Sequence, residues 1–347
     1  MTGEPVNLFA QQEKNRRRSR WLVIVFVLFF AWLGFGGDWI YWELTRTAEP
    51  GGYRHVVPWF GLAMSVVAAL FAVWATRTGA KRVLWSTGAT EVTTPATAAD
   101  RQLVNVVEEM AIAAGLPRPR IYVIPDPDPN ALAAGLDPAT SHIAVTQGLL
   151  AICSRDELQA VIGHEMAHIR NFDTRLLTLL AGLVGAVALV SDGLGRVLRG
   201  GLRVSGGGSG SRGGGKKGGV GPLVLVIIAL WIISWVLAPL IVRLLALGVS
   251  RQREYLADAT SAQLTRNPIA LATALEKIEH AHAPTASIKK GTAHLCIADP
   301  LGRRVSAREG RLADFLGTHP PMAIRVARLK AMGYQDQKRA GTFAPVS

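Results

Sequence analysis

Apolar and polar positions divide the chain into four long apolar runs and the stretches between them. Trp21–Gly37 and Val56–Thr76 are apolar over lengths in the range of a membrane-crossing helix, about 17–25 residues. Leu176–Val190 is only marginally long enough, and Pro222–Leu247 is strongly apolar with Pro239 as a kink point. The intervening stretches carry amphipathic patterns instead. Leu103, Val106, Val107, Met110 and Ala111 recur at helical spacing and predict a helix ending at Gly115, with Pro117 beyond it. Arg120–Ile124 and His142–Val145 predict short strands, separated by the turn Pro125-Asp126-Pro127-Asp128-Pro129-Asn130 and then Ala131–Gly135. After the fourth run, Gly248–Leu264 predicts a helix, and Asn267-Pro268 can cap and open another over Ile269–His282. Ala283–Thr318 has little pattern, Pro321–Met332 predicts a closing helix before Gly333, and no internal repeat is visible.

The stretch between the second strand and the third apolar run carries chemistry. Ser154 followed by Glu157 is a capping box, which sets a helix start by satisfying two free backbone N–H groups. Leu158, Val161, Ile162, Met166 and Ile169 give that helix an apolar face. His164-Glu165-Met166-Ala167-His168 lies within it. Residues four apart project from the same side, so two neutral imidazoles there can bind one zinc ion. Glu165 stands beside them, where it can take a proton from a water. A bare His-Glu-x-x-His also occurs by chance in proteins that bind no metal, so the rest of the chain has to decide.

Composition and charge point to a membrane. The 347 residues are 49% hydrophobic and only 18% charged, with a net charge of +13. The basic residues lie beside apolar runs, and no aromatic-interleaved basic surface is present, which speaks for lipid headgroups and topology signals and against nucleic acid. The basic run Glu13-Lys-Asn-Arg-Arg-Arg-Ser-Arg20 precedes the first apolar run without a small-x-small cleavage site after it, so an uncleaved spanning helix is expected and not a signal peptide. Arg77, Lys81 and Arg82 follow the second run, while the connecting loop is close to neutral. Both basic flanks should therefore be cytoplasmic. Trp21, Trp39, Trp42, Trp59 and Trp74 read as interfacial anchors. Arg196–Gly221 is rich in Gly and Ser and carries six Lys or Arg, a composition that packs no core. If runs three and four both span, this basic loop falls on the outer side, against the positive-inside tendency; a re-entrant hairpin and buried apolar helices are the alternatives to two spans. Cys153 and Cys296 sit in unrelated contexts and form no framework.

A catalytic zinc needs three protein ligands and an open position. After the fourth run the chain reads Arg251-Gln252-Arg253-Glu254-Tyr255-Leu256-Ala257-Asp258. Glu254 and Asp258 share a face of the expected helix. Glu254 can be the third ligand, and Asp258 can accept an N–H from a ligand histidine and fix its tautomer. The alternative is a solvated charged face, with Arg251 and Arg253 nearby.

With these residues in view, the chain resembles an HtpX-type member of the M48 family of membrane zinc metallopeptidases. The resemblance rests on His164-Glu-Met-Ala-His168 continuing to Asn171-Phe-Asp173, on Arg253-Glu254-Tyr255-x-Ala257-Asp258, on Pro129-Asn130-Ala131 ending at Gly135, and on Thr318-His319-Pro320-Pro321. Two apolar runs before, and two between, the metal-binding helices also match. The sequence departs from the family at Leu132 and Ala134, where Phe and Thr are usual, and at Gly317, where Ser is usual.

The resemblance implies a mainly α polytopic protein with about four transmembrane helices and a zincin-like (gluzincin) α+β catalytic domain. Residues 1–82 would hold the basic segment and two spans. Residues 83–173 and 249–333 would form a discontinuous cytoplasmic peptidase domain, split by 174–248 with its Gly-rich loop at 192–221, and 334–347 would be a flexible tail. One Zn2+ per subunit would sit on His164, His168 and Glu254, with Asp258 behind them, Glu165 as general base and His319 as an oxyanion stabiliser. Asn130 would bind substrate backbone, and His142–Val145 would be the edge strand on which a peptide is laid, Val145 included. His294 has no ligand role, and His55, His280 and His282 read as surface residues. The implied activity is endopeptidase action on misfolded membrane proteins at a bacterial-type inner membrane, with the active site facing the cytoplasm. A prenyl-protein-type peptidase of the same family, and a membrane scaffold with a structural metal site, are the alternatives.

Overall fold

The computed structural model describes residues 8–46, 52–183, 229, 231–234, 251–281, 295–298 and 320–339. The chain forms two compact units. One comprises Met1–Arg20, Thr76–Gly182 and Leu245–Ser347, the other Trp21–Ala75 and Leu183–Leu244. The Gly-rich loop, the second half of the third apolar run from 184 on, most of the fourth, His282, His294 and His319 lie outside the described residues.

The second unit is built on the apolar lengths of two long helices, α1 (Leu8–Thr45) and α2 (Trp59–Ser86), of which Leu8–Arg20 and Thr76–Ser86 fall in the first unit. Both are long and apolar enough to cross a membrane, the two such helices among the described residues. At 1.5 Å per residue the 38 residues of α1 reach about 57 Å, well beyond a hydrocarbon core of about 30 Å, so the helix takes in its basic start. Phe26, Phe30 and Leu33 on one stripe of α1 pack with Ala68, Ala72 and Ala75 on one stripe of α2. The other faces are apolar as well, with Trp21, Val25, Leu28 and Trp32 exposed on α1. Asp38 closes the hairpin: its carboxylate accepts the backbone N–H groups of Phe60 (3.1 Å) and Gly61 (2.5 Å), at the start of α2. His55 Nε2 lies 2.7 Å from the same carboxylate. His55 is therefore a buried partner of Asp38 and not the surface residue expected.

The first unit carries a four-stranded sheet of order β1-β2-β4-β3. The strands are β1 (Thr90–Glu91), β2 (Arg120–Ile124), β3 (Ala131–Ala134) and β4 (His142–Thr146). β2 and β4 are parallel, while β1 and β3 pair antiparallel with them. The helices are α3 (Ala98–Ala114), α4 (Gln147–Ile152), α5 (Arg155–Arg170), α6 (Arg251–Thr265), α7 (Pro268–His280) and α8 (Met322–Arg339). Residues 173–183 are also helical. α3 opens with a Thr97–Asp100 capping box and ends at a left-handed Gly115. The predicted Ser154–Glu157 box opens α5, and Lys277 of α7 reaches Glu157 at 2.7 Å. α5 packs against α3, α6 and α7, and its Leu158, Val161, Ile162, Met166 and Ile169 all lie in the main core.

Three expectations change. His142–Val145 is not an edge: Val145 pairs with Val123 on one side and with Ala131 on the other, so its backbone is committed to the sheet. The outer strand is β3, which the sequence hides because Ala-Leu-Ala-Ala has little strand propensity. Along β3 runs the described segment 295–298, with Cys296 opposite Leu132 and Ile297 N–H donating to Ala131 O at 2.9 Å. The closing helix also continues through Gly333 to Arg339. Gly333 is a close-packing position and not a stop, because a Cβ there would lie 2.6 Å from Ile269 Cδ1.

Candidate metal centre and its supports

α5 and α6 cross closely at the site. Gly163, the residue before the first histidine, makes this possible: a Cβ there would lie 3.1 Å from Ser261 Oγ of α6. Ser261 Oγ in turn donates to Ala160 O at 2.6 Å. His164, His168 and Glu254 offer ligand atoms that all lie within 4.8 Å of one another, and all three residues are buried. His164 Nε2 and His168 Nε2 face each other at 3.1 Å with the rings nearly perpendicular. Each lies 3.6 Å from one oxygen of Glu254.

The other nitrogen of each ring faces its own carboxylate. His164 Nδ1 lies 2.9 Å from Asp258 Oδ1, within ion-pair range although off the ring's N–H direction. His168 Nδ1 lies 3.1 Å from Asp173 Oδ2. A carboxylate stands against each Nδ1, so the two Nε2 atoms are the ring nitrogens turned toward the shared space beside Glu254. A tetrahedral zinc with bonds of about 2.0–2.1 Å holds its ligand atoms roughly 3.3 Å apart, close to the spacing found. Glu165 adds a second sign: both carboxylate oxygens are buried without a hydrogen-bond partner among the described residues. Buried orphans of this kind are rare outside functional sites. The donor set of two imidazoles and a carboxylate fits zinc.

Behind the ligands stands Arg325 of α8, completely buried. Its Nε and Nη2 donate to both oxygens of Asp258 at 2.9 and 2.7 Å, and its Nη1 donates to Ile297 O at 3.0 Å. Nη1 also lies 3.6 Å from Glu254 Oε2. Burial acts to raise the Asp258 carboxyl, but Arg325 and His164 outweigh it and hold it at about 2. Burial acts against a proton on His164, yet Asp258 and Glu254 lift that ring to about 9. Burial pushes Glu165 up, with Glu254 adding to the effect and the two histidines opposing it.

The structure thus brings together His164, Glu165, His168, Glu254 and Asp258. Asn130 sits apart from any open surface: its Nδ2 donates to Ala298 O at 3.1 Å, so its amide holds the chain's own backbone. Asp173 and Arg325 carry roles that the sequence reading did not assign. Arg325 had a signal, since it falls on the same face as Met322, Val326 and Leu329, where a cation is out of place unless paired.

A model of peptidase family M48 matches residues 97–333. The chain belongs to this family. Its relatives include the Protease HtpX homolog of Thermoanaerobacter pseudethanolicus, 36% identical over 327 residues, which cover 94% of this chain and 98% of the relative. The Protease HtpX homolog of Streptococcus pneumoniae is 35% identical over 325 residues, covering 94% and 100%. Among solved structures, the crystal structure of S. mikatae Ste24p matches 89% of this chain and 66% of its own, at 18% identity and a TM-score of 0.42. The M48 match runs from α3 into α8 as far as Gly333, and so takes in every ligand and carboxylate of the centre described above.

Proposed function

We propose that the protein is a membrane-bound, zinc-dependent endopeptidase acting on protein substrates. The observation that carries this reading is the buried His164–His168–Glu254 cluster with the unpartnered Glu165 carboxylate beside it, in a chain of peptidase family M48. His164, His168 and Glu254 would hold one zinc ion. When bound, zinc supplies a Lewis acid that lowers the pKa of a water and polarises the scissile carbonyl. Glu165 then takes the water's proton as the oxygen attacks, and returns a proton to the leaving amine. Asp258 and Asp173 keep the two imidazoles in the tautomer that leaves Nε2 free. His319 is the proposed donor to the developing oxyanion, on the family pattern Thr318-His319-Pro320-Pro321.

We further infer an inner-membrane, multi-pass protein with its catalytic unit in the cytoplasm, acting in the removal of misfolded membrane proteins. The charge pattern supports this orientation. Lys14–Arg20 at the start of α1 and Arg77, Lys81 and Arg82 at the end of α2 belong to the same compact unit as the metal ligands. Basic residues next to a span favour the cytoplasmic side.

The test is cleavage of an unfolded protein such as casein by the full chain purified in detergent. A zinc chelator should abolish cleavage and added zinc should restore it. Glu165→Gln should lose about 10²–10⁴-fold in kcat while still binding one zinc. Activity that survives this substitution, or that ignores the chelator, would refute the enzyme reading. Full zinc content in His164→Ala would refute the ligand assignment.

A further inference from the structure

We propose that Asn15, in the basic segment at the start of α1, is a positioning residue of the metal centre, acting through Asp173 on His168. The inference rests on the metal-centre reading above. The stretch Lys14–Arg20 has an evident use as a topology signal, which requires cations in water and nothing else. Asn15 does not fit that use, because it is completely buried. Its Nδ2 uses both hydrogens, one toward Asn171 O at 2.8 Å and one toward Asp173 Oδ1 at 2.7 Å. The other oxygen of that carboxylate faces His168 Nδ1 at 3.1 Å. A single chain of contacts therefore runs from α1 through one carboxylate to a ligand imidazole.

The surroundings hold the same turn from the same helix face. Gln12 Nε2 donates to Arg170 O at 2.8 Å, and the Arg16 guanidinium lies 4.1 Å from the centre of the Phe172 ring. Residues 12, 15 and 16 are spaced to share one side of α1. Phe172 has φ +57°, a left-handed conformation that disfavours a residue with a side chain and persists where neighbours enforce it. This strained residue stands between Asn171 and Asp173, so the turn that aims Asp173 is fixed from outside. Gln12 and Arg16 dock the helix against backbone and ring. Asn15 is the member of this group that bonds the Asp173 carboxylate itself. Arg253 Nη1 also lies 3.4 Å from Asp173 Oδ1 in a buried ion pair, so Arg253 supplies the charge while the Asn15 amide supplies the shorter, directional bond.

Removing a partner of a ligand histidine weakens metal binding by about 10–100-fold. Asn15 acts one bond further out, so the lower end applies. The test uses the full chain in detergent, with the zinc dissociation constant measured by chelator competition and the visible spectrum of the cobalt-loaded protein as a readout of ligand geometry. Asn15→Ala should weaken zinc binding by about tenfold and shift the cobalt bands. Asn15→Asp keeps the shape but sets a carboxylate against Asp173, and should weaken binding at least as much. Gln12→Ala removes a docking bond without touching Asp173, and should move both readouts clearly less than Asn15→Ala does. Zinc binding within twofold and an unchanged cobalt spectrum in either folded Asn15 variant would overturn the proposal. So would Gln12→Ala behaving like Asn15→Ala, which would reduce Asn15 to helix docking. An unsubstituted protein that binds no zinc would instead overturn the metal-centre reading, and this inference with it.

Discussion

Replacing Arg325 by Met tests the support behind the metal centre most directly. The two side chains have similar length, so the substitution removes charge and donors while leaving little empty space. The bonds to Asp258 at 2.7 and 2.9 Å and to Ile297 O at 3.0 Å go, along with the weaker Nη1 contacts to Met322 Sδ at 3.9 Å and Glu254 Oε2 at 3.6 Å. Asp258 is 3% exposed and would be left with His164 alone. Breaking a buried pair from one side typically costs about 3–5 kcal/mol, because the remaining charge keeps its desolvation penalty. His164 offsets part of this, while the orphaned Ile297 carbonyl adds roughly 1–3 kcal/mol. A net loss of about 3–5 kcal/mol is expected, a fall of roughly 10²–10³-fold or more in the folded-to-unfolded ratio. Unfolding of the chelator-treated protein in detergent, followed by far-ultraviolet circular dichroism, measures it without a contribution from bound metal. The double variant Arg325→Met with Asp258→Asn removes the stranded charge and should recover at least about 1 kcal/mol. A single variant within about 1 kcal/mol of the unsubstituted protein, or a double variant no more stable than the single, would refute the argument that Arg325 neutralises Asp258.

Two further outcomes follow from the packing of the first unit. Gly333→Ala should change stability by less than about 1 kcal/mol, since its Cβ meets the free end of the partly exposed Ile269 side chain at 2.6 Å while alanine gains about 1 kcal/mol in helix propensity; a loss above about 2 kcal/mol in thermal unfolding would show that the α7–α8 contact cannot give. For the Glu157 carboxyl, burial acts upward but the bonds to Lys277 and to the Ser154 backbone prevail and hold it below its ordinary value. Its stabilisation is therefore complete above the unfolded value of about 4.3 and is lost as pH falls through the lower folded value. Glu157→Gln should be less stable at pH 7 and show a shallower loss of stability on the acid side of pH 4.3; an unchanged acid slope would contradict that linkage.

The sequence exposes the parts of this fold that depend on local rules. A capping box starts α5, a left-handed glycine ends α3, and short runs bounded by turn residues mark β2 and β4 to within a residue. The two histidines and Glu254 were legible because helical spacing alone puts each pair of functional groups on one face. What it conceals depends on partners distant in the chain. β3 is a strand because β4 pairs with it, against the propensity of its alanines. Gly333 looks like a helix stop until Ile269 is seen packed on it. Arg325 looks like surface charge until Asp258 is found beside it, and Asn15 looks like part of a topology signal until Asp173 is. Asp38 and His55, 17 residues apart, give no local sign of forming a buried pair.

The position of Arg325 has a consequence for how the protein is made. A ribosome delivers α5, then α6, and only after both does α8 emerge. His164, Glu165, His168, Glu254 and Asp258 are all synthesised before the cation that balances Asp258. Until α8 docks, the carboxylate at the α5–α6 crossing is offset by His164 alone, and the segment at Ile297 lacks the guanidinium that holds its carbonyl. The electrostatic balance of the site is thus completed only when the last described helix of the first unit docks.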